Sequence, residues 1–93
     1  MIAIIDESKM TLKFYPDNKR KEIKSLHLKR VYYAAYQLVA SVEDFVGHYT
    51  FDFDKDLVFN PADMAEYKIK SYIKTGKLHE FKLLDLTFLW ENQ

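Results

Sequence analysis

Between residues 25 and 46 the apolar side chains recur at intervals of three and four. Leu28, Val31, Ala35, Leu38, Val42 and Phe45 form one row, and Tyr32, Tyr36, Val39 and Val46 form a second row beside it. This period predicts an α-helix with a wide apolar stripe, broadened by Tyr33 and Ala40. Gly47 stands where a helix C-cap glycine belongs. A second helix is expected over residues 61–75. Asn60 and Pro61 suit its N-cap and first position, Ala62, Ala65, Ile69 and Tyr72 form its stripe, and Gly76 follows as its cap.

The other segments alternate with the period of a strand. Residues 2–5 form a short apolar run. In 10–15, Met10, Leu12 and Phe14 share one face. In 48–53, Tyr49, Phe51 and Phe53 share one face and Thr50 and Asp52 the other. Residues 82–90 alternate again, and 57–59 could add a short fifth strand. The turn-rich segment Asp6-Glu7-Ser8-Lys9 joins the first two strands as a hairpin, and Pro16-Asp17-Asn18 ends the second. The order β-β-α-β-α-β makes the expected class α+β: a single domain over 1–93, with about four strands in a mostly antiparallel or mixed sheet and two helices packed on one face. With only two Gly and two Pro, the chain has few forced turns, so short loops are expected, and no internal repeat is visible.

The absence of cysteine excludes disulfides, thiol catalysis and Cys-ligated zinc. A hydrophobic content of 48% supports a packed core. No apolar run reaches the roughly 20 residues that a membrane helix needs, and no leader pattern is visible. A cytoplasmic protein without a membrane partner is the expectation.

The formal net charge is zero, but the charge is segregated. Residues 9–30 carry a net +6, residues 31–66 a net −6, and residues 67–84 a net +4. Such blocks either pair with one another, contributing about 0–1 kcal/mol per surface pair, or present a two-faced surface that orients a charged partner.

The acidic run Asp52-Phe53-Asp54-Lys55-Asp56 has carboxylates at calcium-loop spacing with Asp63 behind. Leu57 occupies the position where that loop needs glycine, and Asp63 replaces the usual bidentate Glu, so no metal site is expected. A metal-dependent enzyme using Asp52, Asp54 and Asp63 is the weaker reading. His27, His48 and His79 show no ligand spacing, and neither a nucleophile elbow nor a phosphate loop exists. No cofactor is expected.

Lys19, Arg20, Lys21, Lys24, Lys29 and Arg30 form one basic cluster, and Lys68, Lys70, Lys74 and Lys77 could extend it. With 12 Lys against 2 Arg, such a surface would hold a nucleic-acid backbone without reading bases. Aromatics number 15 of 93 residues, more than one small sheet and two helices can hide. Tyr32, Tyr33 and Tyr36 are therefore candidate contact residues, since Tyr joins a large apolar face to a polar tip.

The residues together favour a small non-catalytic protein-binding module, an adaptor, regulator or inhibitor. It would act through Tyr32, Tyr33 and Tyr36 and the acidic face of Asp52, Asp54 and Asp56. A compact, Lys-heavy, Gly-poor chain is compatible with a viral or mobile-element origin, which makes a host enzyme a candidate partner. Nucleic-acid backbone binding through 19–30 and 68–82 is the alternative. The uncovered apolar surface of so small a domain also favours a homodimer.

Overall fold

In the computed structural model, which describes residues 1–18, 21–43 and 47–85, every regular element is a strand. They are β1 (Ile2–Asp6), β2 (Thr11–Tyr15), β3 (Lys24–Ala34), β4 (Gln37–Val42), β5 (His48–Asp52), β6 (Leu57–Asn60), β7 (Ala65–Thr75) and β8 (Leu78–Asp85). Each pairs antiparallel with the next, and β8 closes on β1, giving an eight-stranded up-and-down barrel. A barrel of this size has an interior just wide enough for side chains. Here it is filled by Ala3, Ile5, Leu12, Phe14, Leu28, Leu38, Ala40, Val42, Tyr49, Phe51, Val58, Ile69, Phe81 and Leu83. The exposed strand positions carry charges such as Arg30, Lys68, Lys70 and Lys82, the opposite of a lipid-facing barrel. Among the described residues no helix is long and apolar enough to cross a membrane.

The α+β expectation is therefore overturned: among the described residues there are no helices, and the sheet has eight strands rather than four. The physical reason lies in two β-bulges and a turn. In β3 the register shifts between Leu28 and Arg30, so the inward positions step from Leu28 to Val31, a spacing of three. A two-residue turn at Ala35 and Tyr36 then leads into Leu38, Ala40 and Val42. Bulge and turn together imitate the three-four spacing of a helix. The β-branched and aromatic content of the segment (Val31, Tyr32, Tyr33, Tyr36, Val39, Val42) favours the strand. The second expected helix fails in the same way, because β7 shifts register between Ile69 and Ser71. Asn60 does cap, but it caps a turn: its Oδ1 accepts the Ala62 N–H at 3.0 Å. Gly47 accepts a hydrogen bond from Val42 N–H at 3.4 Å, just ahead of β5. Gly76 adopts φ +59° at the tip of the β7–β8 hairpin. Elements β2 and β5 lie where alternation places strands, β1 on the apolar run 2–5, and β6 on the possible fifth strand at 57–59. The expected strand residues 86–90 lie outside the described residues.

The barrel also repeats itself, which the residue types conceal. Strands β1–β4 and β5–β8 are two equivalent halves with matching hydrogen bonds. Asp6 Oδ1 accepts the N–H groups of Ser8 and Lys9, and Asp52 Oδ1 accepts those of Asp54 and Lys55. Leu28 N–H donates to Met10 C=O as Ile69 N–H donates to Asp56 C=O, each at 2.8 Å. Glu7 N–H donates to Lys77 C=O at 3.0 Å, and Phe53 N–H to Tyr36 C=O at 2.8 Å. The long bulged strands β3 and β7 correspond, and so do the positive-φ residues Met10 and Asp56, and Ala35 and Gly76. Relative to this repeat, Glu7 corresponds to Phe53, Val31 to Tyr72, Tyr33 to Lys74, and Leu38 to His79.

The pair Ala35 and Gly76 gives a direct test. A two-residue hairpin turn with a positive φ at its first residue favours glycine there, and an L-residue in that region costs about 1–2 kcal/mol. Ala35→Gly is expected to stabilise the fold by about 0.5–1 kcal/mol after the added freedom of the unfolded chain is subtracted, and to raise the thermal midpoint by a few degrees. Gly76→Ala should lower it, although no atom lies within 4 Å of the added Cβ. Thermal unfolding of the two variants checks both signs.

Candidate functional site

Because the strands run alternately up and down, the turns after β1, β3, β5 and β7 share one end of the barrel, the mouth. Two features set this end apart. The hairpins β3–β4 and β7–β8 rise beyond their neighbours, and a polar network lies inside the rim.

The β3–β4 hairpin carries all three tyrosines expected from the sequence, at 37% (Tyr32), 54% (Tyr33) and 70% (Tyr36) exposure. A strand separates the faces of Tyr32 and Tyr33, so the expected single Tyr-bearing helix face does not exist. The Tyr32 ring lies 4.7 Å from the Arg30 guanidinium carbon, while Tyr33 turns toward the mouth, 6.2 Å from the His79 ring. Tyr36 sits at the tip and lines a groove of 440 Å³ with Ala34, Ala35, Gln37, Asp52, Asp54 and Lys55. The structure thus joins Tyr36 to the acidic turn. Asp52 caps that turn and also accepts from Gln37 Nε2 at 3.3 Å; Asp54 and Asp56 are exposed.

The two flanks of this hairpin differ. On one side β4 pairs with β3 up to Ala34. On the other, β2 accompanies β3 only to His27, with one further bond from Leu28 N–H to Met10 C=O. From Lys29 to Ala34, β3 has no strand on this second side among the described residues. The equivalent stretch of β7, beyond Ile69, is also open, since the pairing of β7 with β6 ends at Lys68, opposite Leu57. That edge carries Lys70 and Lys74, the residues with which proteins blunt open edges. The β3 edge ends in the uncharged run Val31-Tyr32-Tyr33-Ala34.

Inside the rim, His79 is fully buried. Its Nε2 lies 2.7 Å from Glu7 Oε2 and its Nδ1 2.7 Å from the Tyr72 hydroxyl. Tyr33 of β3 lies close enough to Tyr72 to act on its phenol. Burial pushes the Tyr72 phenol up to about 12, with Tyr33 and the Glu7 charge adding to the shift, so this hydroxyl keeps its proton. Phe81 packs 4.6 Å from the Tyr72 ring, and Phe53 lies 5.1 Å from it. Lys74 is the register partner of His79 on the neighbouring strand, and its ammonium lies 5.9 Å from the centre of the Tyr33 ring. Sequence reasoning missed Glu7, Tyr72 and His79 as a group. The available signal was the alternation His79, Phe81, Leu83, which continues the last strand backward and puts His79 on its apolar face.

The basic residues scatter. Lys29 and Arg30 on β3 and Lys68 and Lys70 on β7 stand four strands apart around an eight-stranded barrel, hence on opposite sides. Lys19 and Arg20 lie outside the described residues. Lys21 is exposed in the β2–β3 connection, and Lys77 is exposed at the β7–β8 tip. Lys24 is engaged at the far end of the barrel, 3.4 Å from the Tyr49 hydroxyl and 3.5 Å from Asp63. Burial works against its charge, but Tyr49 and Asp63 outweigh burial and raise its pKa above the ordinary lysine value. Asp63 also accepts from Asn60 Nδ2 at 3.1 Å. It therefore lies at the opposite end from Asp52 and Asp54, so these three carboxylates do not converge. Among the described residues no group of three or more His, Cys, Asp or Glu side chains is placed to hold a metal.

Comparison with protein-family models, curated proteins and solved structures finds no match for the chain, so the reading of the mouth rests on its own geometry.

Proposed function

We propose that the chain is a small non-catalytic protein-binding module that takes an extended segment of a partner protein as an added strand on the open edge of β3. The observation that carries this is the unpaired flank of β3 between Lys29 and Ala34, bearing exposed Tyr32 and Tyr33. An open edge offers unpaired backbone donors and acceptors, which a partner strand satisfies while its alternate side chains meet the neighbouring rings. Both open edges start with a lysine, Lys29 on β3 and Lys70 on β7, but β7 adds Lys74 where β3 has Tyr33. Beyond the tip, Tyr36 and the carboxylates of Asp52 and Asp54 suit a Lys or Arg of the same segment, while Asp56 adds to the local negative field.

Selection from a displayed random-peptide library tests this. Extended peptides carrying Lys or Arg are expected, and bound peptide should slow amide exchange between Lys29 and Ala34. Tyr32→Lys with Ala34→Lys, which puts a lysine guard on the uncharged end of this edge, should weaken binding by about tenfold or more, the effect of about 1.4 kcal/mol. Peptides that protect another face, or bind the guarded variant equally well, refute the proposal. A second copy of the chain is the competing occupant. Light scattering at twice the 11.1 kDa monomer mass, lost in the guarded variant, would replace the foreign strand with a self-paired edge.

A further inference from the structure

We propose that the strand taken up on β3 runs antiparallel to it and carries its side chains in a fixed order. From its N-terminus these are a Lys or Arg at the hairpin tip, an aromatic residue opposite Tyr32, and an Asp or Glu two positions later opposite Arg30. This rests on the open edge of β3 as the binding surface, and adds the direction and the pattern of what it binds.

The free backbone groups of the edge follow from its neighbours. Phe53 N–H donates to Tyr36 C=O, and Val42 N–H to Gly47 C=O, so Tyr36 and Val42 turn their backbone groups toward the β5 side. Along an antiparallel strand these groups point to alternate sides. Gln37, Val39 and Ser41 therefore bond to β3, where their register partners are Ala34, Tyr32 and Arg30. The N–H and C=O groups of Val31 and Tyr33 are left facing the side that β2 does not reach. An antiparallel strand meets each of these two residues with a pair of perpendicular bonds. A parallel strand meets them with slanted bonds and pairs slightly less stably.

The side chains then set the pattern. Val31 packs against the core and Tyr33 turns to the mouth, while Arg30 and Tyr32 stand outside. A residue opposite Tyr32 forms the closer kind of antiparallel pair, with Cα atoms about 4.5 Å apart, and lays its side chain beside the Tyr32 ring. Two positions on, the next outward side chain faces Arg30, whose guanidinium carbon lies 4.7 Å from the centre of that ring. An aromatic residue suits the first place and a carboxylate the second.

Charge runs the same way along the whole edge. Its base carries exposed Lys29 and Arg30, with exposed Lys9 in the adjoining β1–β2 turn; Glu7 of that turn is engaged by His79. Its tip carries Tyr36 with Asp52 and Asp54, partly offset by Lys55, and Asp56 lies next to them. Because β3 runs from base to tip, an antiparallel partner brings its N-terminal end to the carboxylates and its C-terminal end to the cations. The internal repeat is the control: on the open edge of β7 the equivalents of Arg30 and Tyr32 are Ser71 and Ile73, and the equivalent of Asp54 is Ser8. A second copy of the chain, paired antiparallel about Tyr32, would set Ala34 opposite Arg30 and supply no carboxylate there.

The test uses the whole chain and three end-capped peptides of one composition. The first is Arg-Ser-Thr-Phe-Thr-Glu-Ser, the second is that sequence reversed, and the third exchanges its Arg and Glu. Each is titrated while the amides are followed by NMR, and a spin label at the peptide N-terminus reports direction. The first peptide is expected to shift the Val31 and Tyr33 amides and to bind about fivefold or more tighter than the other two. Its label should broaden Tyr36 and Asp54, not Lys9 and Lys29. Arg30→Glu should weaken the first peptide by about two- to fivefold and strengthen the third by a similar factor. Equal binding of the first and second peptides, a label that broadens Lys9 and Lys29, or affinities indifferent to Arg30→Glu overturn the direction and order while leaving the β3 edge as the binding surface. Peptides that shift only another face remove that surface, and the proposal with it.

Discussion

Phe81→Ala is expected to lower the unfolding free energy by about 3–5 kcal/mol. Phe81 is fully buried and is the centre of the aromatic packing. Its ring centroid lies 4.4 Å from Phe51, 4.6 Å from Tyr72 and 6.2 Å from Phe53. These rings sit on β5, β7 and the β5–β6 turn. Removal of Phe81 thus opens a void that no single element can close by shifting. A domain of this length has a total stability of about 5–14 kcal/mol, so one substitution removes a large share of it. Urea unfolding of Phe81→Ala against Phe81→Leu separates the void from a general loss of apolar content. A cost near 1 kcal/mol for the alanine variant would show that the interior collapses around the gap.

His79→Leu is expected to destabilise the fold even though it exchanges a polar core residue for an apolar one of similar volume. The imidazole is the shared partner of Glu7 and Tyr72. Its loss leaves a half-buried carboxylate and a half-buried hydroxyl without that partner, a cost of about 1–3 kcal/mol for each group that finds no other. Adding Glu7→Phe and Tyr72→Val copies the apolar half of the barrel, Phe53, Leu38 and Val31, onto this one. The triple variant should recover the loss, and it could exceed the native stability by about 1–4 kcal/mol, as replacements of buried ionic groups by apolar ones do. Denaturant unfolding of the native, single and triple chains gives the comparison. A triple variant weaker than the single one would show that the two rims are not interchangeable.

How far the sequence is legible depends on whether the signal is local. In β2 and β5 the alternation of about six residues states which side chains share a face, because successive side chains of a strand point to opposite faces. Leu12 and Phe14, and Tyr49 and Phe51, are buried together as that pattern requires. Residues 25–46 are illegible for a specific reason. The bulge between Leu28 and Arg30 inserts one residue into the alternation. The turn that follows is built on Ala35, in the left-handed region without glycine, asparagine or proline. Met10, Asp56 and Met64 also take a positive φ, so a count of two glycines conceals how often the chain turns. Of the expected contact residues, Tyr36, Asp52 and Asp54 are brought together, but by a hairpin and an adjacent turn rather than by a helix beside a sheet.

The sequence by itself determined the local strands, the apolar surplus that fills a core, and the exposed tyrosines as a group. Each of these is set by residue type and by period over a few positions. Only the tertiary structure decided that the sheet closes, that two halves repeat, and that one of the two rims is polar. Glu7, Tyr33, Tyr72 and His79 come from four different elements, and His79 is separated from Glu7 by 72 residues. Their meeting depends on the pairing of β8 with β1. That pairing is a long-range contact between the two ends of the barrel, and no local period encodes it.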